Sequence, residues 1–363
     1  MQPQLLPIIS IVGTTSTGKS EAVFLLAEYV LEKKLTTGVV IISADSRQVY
    51  ENLEVLTGAD IPDGYVTGAA DFDQSTLADE SAQKIPEKYF YKITERGTIE
   101  VYGISMLSPF EEWSVGRFSE YAQTIITCAQ DAGKAVFVVG GTGLYQQHVL
   151  TTDPRLNIPP NPELREKLQT LSVQELQHEL QSMNADYFEQ MNNSDRHNPR
   201  RLQRAIEVER ALQYLQETDP ETFDLFLEQQ HAARQNEVVE TQKHVYIGLQ
   251  VSLDTLHQKI TKRVMDRFEH GAVQEVAQLL ANAQEKNTPL SPQAATTLGF
   301  AEIQRFLEHE STAEKCIELW VQADFGYSKR QLTWWKKYGS VSWINREATD
   351  WYTQLLEVFK TKI

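Results

Sequence analysis

A glycine-rich loop near the start of the chain constrains its fold more than any other feature. An apolar, β-branched run, Pro7–Val12, ends at Gly13, and Gly18–Ser20 follows after four further residues. Beyond Ser20, apolar residues recur with the spacing of a helix. The pattern G-x-x-x-x-G-K-S between a strand and a helix is typical of a phosphate-binding loop, or P-loop. A plain strand-to-helix turn is the alternative, and the complete pattern disfavours it.

The composition of this loop indicates how it would hold a phosphate. Its backbone N–H groups can point inward, and the helix that follows adds a partial positive charge. Lys19 would neutralise a terminal phosphate, and the Ser20 hydroxyl would hold Mg²⁺. The predicted phosphate-binding residues are Gly13, Thr14, Thr15, Ser16, Thr17, Gly18, Lys19 and Ser20, with Ser20 also the predicted metal ligand.

Three further apolar runs resemble the strand before the P-loop. They cover Gly38–Ser43, Ala135–Val139 and His244–Val251. Continuous apolar strands suit a parallel sheet that is covered on both faces. The chain after Leu253 has mostly helical spacing. The sequence therefore predicts an α/β fold with a parallel sheet flanked by helices and a helical C-terminal part.

Polar residues follow two of these strands directly. Asp45 comes after the second strand, and a second glycine loop that contains Thr142 comes after the third. In open α/β sheets, ligands bind beyond the carboxyl ends of the strands. We therefore expect Asp45 to face the same crevice as Lys19. Capping of a following helix is the competing explanation for Asp45.

The chain length of 363 residues suggests about two domains. A proline-rich stretch begins after Thr151, and two polar amphipathic helices follow it. We predict a catalytic core over 1–151 and 200–363, interrupted by a small all-helical insertion domain over 152–199. Residues 63–100 are predicted to be a peripheral insertion without chemistry, which holds a β-ribbon in its second half.

The charge distribution limits the partners of the chain. The net charge of −16 opposes non-specific binding to a polyanion. Four arginines nevertheless fall within nine residues, from Arg196 to Arg204. A surface that faces phosphates or nucleic acid is one explanation, and a solvated helix that pairs with Glu207 and Glu209 is the other.

Targeting signals and cysteines point to one compartment. No apolar run approaches the length of a membrane span, and no signal peptide is evident. The two cysteines, Cys128 and Cys316, do not form a disulfide framework or a zinc pattern. A cytoplasmic protein that does not associate with a membrane is the expectation.

An ordered set of motifs carries a resemblance to a known family. GTTSTGKS is followed by ADSRQVY, VVGGTGLY, NPRRLQRAIEV, RVMDRFEHGAVQEV, LGFAEI and YSKRQLTWW. With these motifs, which span most of the chain, the sequence resembles the bacterial type of the tRNA dimethylallyltransferase (tRNA isopentenyltransferase) family, as a divergent member.

The resemblance implies a P-loop NTPase-like fold and a specific reaction. A dimethylallyl group moves from dimethylallyl diphosphate to N6 of adenosine 37, in tRNAs that read codons starting with U. The P-loop would then hold a diphosphate in place of ATP, with Mg²⁺. The implied partners are the donor and the anticodon stem-loop of tRNA, and the protein is expected to be a monomer.

The resemblance also implies roles for individual residues, carried over motif by motif. Asp45 would align the acceptor amine, while Lys19 and Arg263 would bind the diphosphate, and the insertion would clasp the anticodon stem. The implied catalytic residues are Asp45, Lys19, Thr142 and Arg263; the implied tRNA-binding residues are Asp45, Ser46, Arg47, Gln48, Thr142, Arg165, Arg200, Arg201, Leu202, Gln203 and Arg204.

The sequence departs from the family at several positions. The family usually has Gly-Thr-Ala-Lys-Pro where this chain has Leu56–Asp60, so that a basic residue is missing, and Asp324-Phe325 replaces a Thr-Arg pair. Other functions stay open. These are prenyl transfer to free adenine nucleotide, a P-loop kinase of small molecules, and a nucleotide-binding regulatory module without catalysis.

Overall fold

A computed structural model describes residues 6–59, 61–70, 85–150, 153–236, 244–337 and 340–363. The chain divides into two compact units. The first comprises Met1–Leu150 and Glu240–Ile363, and the second comprises Thr151–Val239. We call them the α/β unit and the helical unit. None of the helices within the described ranges is both long and apolar enough to cross a bilayer.

The strands of the α/β unit form one eight-stranded sheet over the described residues, in the order β3-β4-β5-β2-β6-β1-β7-β8. Their bounds are β1 Ile8–Gly13, β2 Gly38–Ser43, β3 Val66–Ala69, β4 Lys88–Thr94, β5 Gly97–Tyr102, β6 Ala135–Val139, β7 His244–Gln250 and β8 Ser342–Asn345.

The helices connect these strands and build the helical unit. They are α1 Lys19–Glu32, α2 Glu54–Thr57, α3 Val115–Asp131, α4 Gly143–Gln147, α5 Pro162–Gln169, α6 Val173–Met183, α7 Ala185–Gln190, α8 Asn193–Arg196, α9 Pro199–Thr218, α10 Pro220–Asn236, α11 Leu253–Arg267, α12 Val273–Glu285, α13 Pro292–Ala295, α14 Phe300–Leu307, α15 Ala313–Trp335 and α16 Trp351–Lys362. A kinked turn, Phe268–Ala272, joins α11 to α12, with non-helical backbone angles at His270 and Gly271.

The prediction of a parallel sheet is confirmed for its central part, and the edge differs. Strands β5, β2, β6, β1, β7 and β8 pair in parallel, whereas β3 and β4 add an antiparallel ribbon at one edge. The predicted insertion over 63–100 therefore includes the first four residues of β5, which is part of the parallel sheet. The middle of that segment, residues 71–84, lies outside the described residues.

Both faces of the sheet are buried, which explains the continuous apolar strands. On one face, Val40 and Val138 pack against α3 and α11, and on the other, Val39 and Phe137 pack against α1 and α16. Side chains of a strand alternate between faces, so the central strands β1, β2 and β6 are apolar at nearly every position. This layering leaves the carboxyl ends of the strands as the edge where polar loops can meet.

The helical unit has its own core and extends beyond the predicted insertion. Leucines of α5, α6 and α9 pack together, and Leu202 and Ile206 are fully buried among them. Helix α9 is therefore part of this unit, which runs to Val239, past the predicted end at residue 199. The burial of Leu202 corrects its assignment as a residue that contacts tRNA, because its side chain fills the core.

Candidate functional site

A cavity of about 540 Å³ lies at the carboxyl edge of the central strands in the α/β unit. It is formed by the P-loop, by segments that follow β2 and β6, and by helices α11 and α15. Parts of the chain that are far apart in sequence thus meet at one place. The lining residues used below are Thr15, Ser16, Lys19, Ser20, Asp45, Ser46, Arg47, Gln48, Gly58, Gly141, Arg263, Arg267, Asp324, Tyr327, Arg330 and Gln331.

The P-loop has the conformation that the sequence predicted. Gly13 and Gly18 have φ angles of 137° and 83°, which residues other than glycine rarely adopt. A Cβ atom on Gly13 would also lie 2.4 Å from the Leu249 carbonyl oxygen. Within the described part of the protein, the buried Ser16 hydroxyl has no hydrogen-bond partner. The loop therefore wraps closely and leaves a donor for a ligand.

Lys19 begins helix α1 and lies in the cavity wall. Its ammonium group donates to the Thr14 carbonyl oxygen at 2.7 Å. Burial lowers the pKa of Lys19 to about 8, the negative charge of Asp45 raises it, and Arg263 lowers it again. A bound anion would replace the lost hydration of this ammonium group and stabilise its charge.

Arg263 reaches the P-loop from α11. Its guanidinium donates through one terminal nitrogen to the Thr15 hydroxyl and through the other to Asp324 Oδ2, at 2.6 Å. Its Nε is buried and has no partner among the residues that the structure describes. The cavity thus contains two neighbouring cations and unsatisfied donors, which is the chemistry of an anion site.

Asp45 lies in the cavity and also stabilises a turn. Its Oδ1 accepts hydrogen bonds from the backbone N–H groups of Arg47, at 2.9 Å, and Gln48, at 3.4 Å. Its place in the cavity matches the expectation that it faces the crevice of Lys19. The helix-capping explanation is wrong, because Asp45 closes a turn and the next helix, α2, begins only at Glu54. Because both bonds go to Oδ1, Oδ2 takes part in neither of them. The carboxylate is close enough to Lys19 to stabilise its charge.

The residues after Asp45 are fixed by contacts within the protein. The Arg47 guanidinium donates to the Gln293 carbonyl oxygen and, at 3.1 Å, to the Thr296 hydroxyl. The Gln48 amide donates to the Gly58 carbonyl oxygen at 2.8 Å. Ser46 lines the same cavity. This wall is therefore organised before any ligand binds.

The second glycine loop allows close approach, and Thr142 lies beside the cavity. A Cβ atom on Gly141 would lie 2.2 Å from the side-chain nitrogen of Gln331, which occupies that space. Thr142 itself is not among the lining residues, and its buried hydroxyl has no hydrogen-bond partner within the described residues. It lies close to Tyr327, which does line the cavity. Burial and the charge of Asp45 raise the pKa of Tyr327.

Several lining residues were missed by reasoning from the sequence. Gln331 accepts a hydrogen bond from the Thr15 backbone N–H at 3.0 Å. Arg267 donates to the Leu56 carbonyl oxygen at 3.1 Å, and Arg330 lines the cavity. Two signals were present. Arg267 follows Arg263 at the four-residue spacing that places both on one helix face, and Arg330 and Gln331 lie in the YSKRQLTWW motif.

The arginines of the helical unit fall into two groups. Arg165 and Arg204 both hydrogen-bond Glu207, whose side chain is 1% exposed. Arg200 is exposed, and Arg201, 54% exposed, pairs with Asp195. The alternative of a helix surface that pairs with Glu207 therefore holds for Arg204, and the same carboxylate also engages Arg165.

The charge of Glu207 depends on these contacts. Burial acts to raise the pKa of this carboxyl group, but hydrogen bonds from Arg165 and Arg204 outweigh it and lower the pKa. The Asn161 backbone N–H donates to the same carboxylate at 2.6 Å. Gln203 donates to the Leu168 carbonyl oxygen at 3.3 Å. Among the predicted tRNA-binding residues of the helical unit, Arg200 and Arg201 therefore make the fewest contacts that stabilise the fold.

Comparisons with known proteins identify the family of the chain. The IPP transferase family model matches residues 91–338. The tRNA dimethylallyltransferase of Staphylococcus carnosus is 29% identical, over 94% of this chain and 92% of that protein. The crystal structure of the full-length tRNA isopentenylpyrophosphate transferase of Bacillus halodurans is 22% identical with a TM-score of 0.58, covering 98% of this chain and 95% of that one.

A third similarity extends the fold to eukaryotes. A eukaryotic dimethylallyltransferase acting on tRNA is 20% identical with a TM-score of 0.65, covering 97% of this chain and 77% of that one. At such identities, the two structural similarities concern the fold alone. The family model covers more than half of the chain, and its match includes α15 up to the YSKRQLTWW motif. The chain belongs to the IPP transferase family.

Proposed function

We propose that this protein transfers a dimethylallyl group from dimethylallyl diphosphate to N6 of adenosine 37, in tRNAs that read codons starting with U. The observation that carries the proposal is a single cavity with two different walls. One wall has the P-loop, Lys19 and Arg263, which suit a diphosphate, and the other has the carboxylate of Asp45. Family membership and the names of the relatives support this assignment.

The first wall is suited to a diphosphate leaving group. As the bond between the allylic carbon and the diphosphate oxygen breaks, the electron pair leaves with the diphosphate. Lys19, Arg263 and backbone N–H groups at the start of α1 would stabilise this growing negative charge. The Nε of Arg263 and the hydroxyl of Ser16, which have no partner among the residues that the structure describes, offer donors that a diphosphate would satisfy.

The second wall is suited to an adenine amine. N6 is a weak nucleophile, so a carboxylate within hydrogen-bond distance can orient it and take its proton as the bond to carbon forms. Asp45 Oδ1 is held by backbone N–H groups, and Oδ2 would serve the amine. The base must leave its stack in the RNA loop to reach this position.

Mg²⁺ suits the oxygen ligands of the cavity. The exposed Ser20 hydroxyl and the Asp45 carboxylate line the same space. Within the described residues, no group of three or more His, Cys, Asp or Glu side chains could hold a metal by itself. Ser20 would therefore hold Mg²⁺ together with diphosphate oxygens, and the ion would neutralise diphosphate charge. We expect a chelator to abolish transfer and added Mg²⁺ to restore it, as measured by label incorporation.

We assign tRNA binding to the helical unit, with Arg200 and Arg201 as its contacts to phosphates. Both lie in the first turn of α9, and both are exposed. The positive end of a helix dipole also favours phosphate there. The sequence-based expectations of a monomer and of a cytoplasmic location stay predictions.

One assay separates this function from its alternatives. The purified protein is incubated with labelled dimethylallyl diphosphate, Mg²⁺ and one acceptor: tRNA, the same tRNA with guanosine at position 37, or AMP. We expect label only on the tRNA that has adenosine at position 37. Label on AMP would support the adenylate prenyltransferase. The kinase is tested in a parallel incubation with labelled ATP and small molecules, where phosphate transfer without any prenyl transfer would support it.

A further inference from the structure

A buried carboxylate lies in the wall that we assign to the diphosphate. Asp324 belongs to α15, lines the cavity, and has a side chain that is 3% exposed. Burying a carboxylate is unfavourable, and a negative charge beside an anion site also repels the ligand. The position of Asp324 therefore requires a compensating interaction.

The contact between Asp324 and Arg263 provides this compensation. Asp324 Oδ2 accepts from a terminal nitrogen of Arg263 at 2.6 Å, and the Asp324 backbone carbonyl accepts from the buried Ser328 hydroxyl at 2.9 Å. The carboxylate thus projects from a fixed position on a long helix. It leaves the Arg263 Nε free of partners among the described residues.

Arg263 needs such a counter-ion because of its neighbour. The charge of Arg263 acts to lower the pKa of Lys19, so the two cations are near each other in a buried site. Before an anion binds, the Asp45 carboxylate offsets part of this repulsion at Lys19, and Asp324 is the carboxylate that Arg263 itself contacts. A guanidinium on a long side chain would then turn away from the ammonium group unless another group held it.

We propose that Asp324 is a positioning residue, which holds the Arg263 guanidinium against the P-loop in the orientation that receives a diphosphate. The identity of the ligand rests on the proposed function. Pre-orientation lowers the ordering cost of binding, and this gain exceeds the repulsion between Asp324 and the diphosphate.

Pyrophosphate binding to the full-length protein tests this role without any transfer reaction. We expect Asp324→Ala to weaken pyrophosphate binding by about tenfold in calorimetry. Asp324→Asn keeps an oxygen that accepts from Arg263, so its affinity should stay within about threefold of the unmodified protein. The matched control is Asp266→Asn, which removes an exposed carboxylate from the helix that carries Arg263. It should leave the pyrophosphate affinity unchanged. Unchanged or tighter binding by Asp324→Ala, or equal losses in Asp324→Asn, would overturn the proposal.

A double-mutant cycle separates positioning from a general effect on folding. In an Arg263→Met background, Asp324→Ala should cause no further loss of pyrophosphate affinity, because the group that it positions is gone. An additional tenfold loss there would mean that Asp324 acts elsewhere, and would overturn the proposal. Thermal unfolding identifies the variants that fold. If Asp324→Ala does not fold, Asp324→Ser replaces it in both experiments, because the serine hydroxyl is too short to reach Arg263.

The two hypotheses fail in different experiments. If the unmodified protein binds pyrophosphate but does not prenylate tRNA, the proposed function is wrong and the role of Asp324 can still be measured. If transfer occurs and Asp324→Ala binds pyrophosphate normally, the role of Asp324 is wrong and the function stands.

Discussion

At the scale of single residues, the carboxylate of Asp45 separates donor binding from chemistry. We expect Asp45→Asn to lower the transfer rate by about 10²- to 10⁴-fold, because an amide can still orient N6 but cannot take its proton. Pyrophosphate affinity should change little. Single-turnover assays and calorimetry measure the two effects, and Asp63→Asn, on an exposed turn, is the control. Loss of pyrophosphate binding together with activity would contradict an acceptor-side role.

The lowered pKa of Lys19 predicts that donor binding depends on pH. Because burial lowers its pKa to about 8, most Lys19 side chains are neutral in the free protein at about pH 8.5. A bound diphosphate favours the charged form, raises this pKa and draws a proton from the buffer. The binding enthalpy of dimethylallyl diphosphate should therefore depend on the ionisation heat of the buffer.

The control for this proton uptake is Lys19→Met. Its binding, although weak, should lack the buffer dependence at pH values above 8. At about pH 6.5, Lys19 is already protonated, so the two proteins should then take up equal numbers of protons. Equal uptake at the higher pH as well would show that another group titrates.

The residue scale also shows where inference from sequence ends. The P-loop glycines and Lys19 were predictable because one short segment fixes their geometry. The partner of Arg263 was not, since Asp324 was noted only as a departure from the family. Thr142 was predicted to be in the site, but it is not among the residues that line the cavity, and its hydroxyl is buried beside the lining residue Tyr327. Side-chain direction depends on packing that spacing does not describe.

At the scale of elements, one carboxylate joins α5 to α9 in the helical unit. Glu207 binds Arg165, Arg204 and the Asn161 backbone, so Glu207→Gln should destabilise this unit by about 1–3 kcal/mol. Because the pKa of Glu207 is lowered on folding, its contribution is complete above its ordinary value of 4.5 and is lost as the pH falls below that value.

Denaturant unfolding at several pH values measures this difference. The control is Glu179→Gln, which removes a more exposed ion pair with Arg210. It should lower the free energy of unfolding by less than about 0.5 kcal/mol. A loss for Glu207→Gln that stays the same down to pH 3 would argue against an ionised carboxylate in the folded protein.

The same element explains an error in the predicted domain boundary. Pro199 begins α9, which suggested a return to the core at that residue. The face of α9 that carries Leu202 and Ile206 instead packs on leucines of α5 and α6. An amphipathic pattern indicates that a face is buried, but it does not identify the partner.

At the scale of the whole molecule, a net charge of −16 accompanies a proposed polyanionic substrate. Binding then depends on a few local cations, and each phosphate contact contributes about one unit to the salt dependence of the tRNA affinity. We expect Arg200→Ala with Arg201→Ala to weaken tRNA binding and to reduce the slope of log affinity against log salt by about two.

Filter binding at several salt concentrations measures this slope. The control is Arg305→Ala, which removes an exposed arginine of the α/β unit and should leave the slope unchanged. Pyrophosphate affinity should stay constant in both variants. An unchanged slope in the double variant would mean that Arg200 and Arg201 do not contact tRNA phosphates and belong to an ordinary solvated surface.

The sequence alone determined the features that short segments encode. Buried strands, the P-loop and the order of the motifs require only neighbouring residues, so they indicated the central parallel sheet, the strand–loop–helix at Gly13–Ser20 and the family. The tertiary structure decided which distant side chains complete that site. From α15, Gln331 contacts the P-loop and Asp324 contacts Arg263, whereas Leu202, Arg165 and Arg204 stabilise the helical unit. Such pairings depend on how the chain folds back on itself, because contacts between distant residues follow from packing and not from spacing.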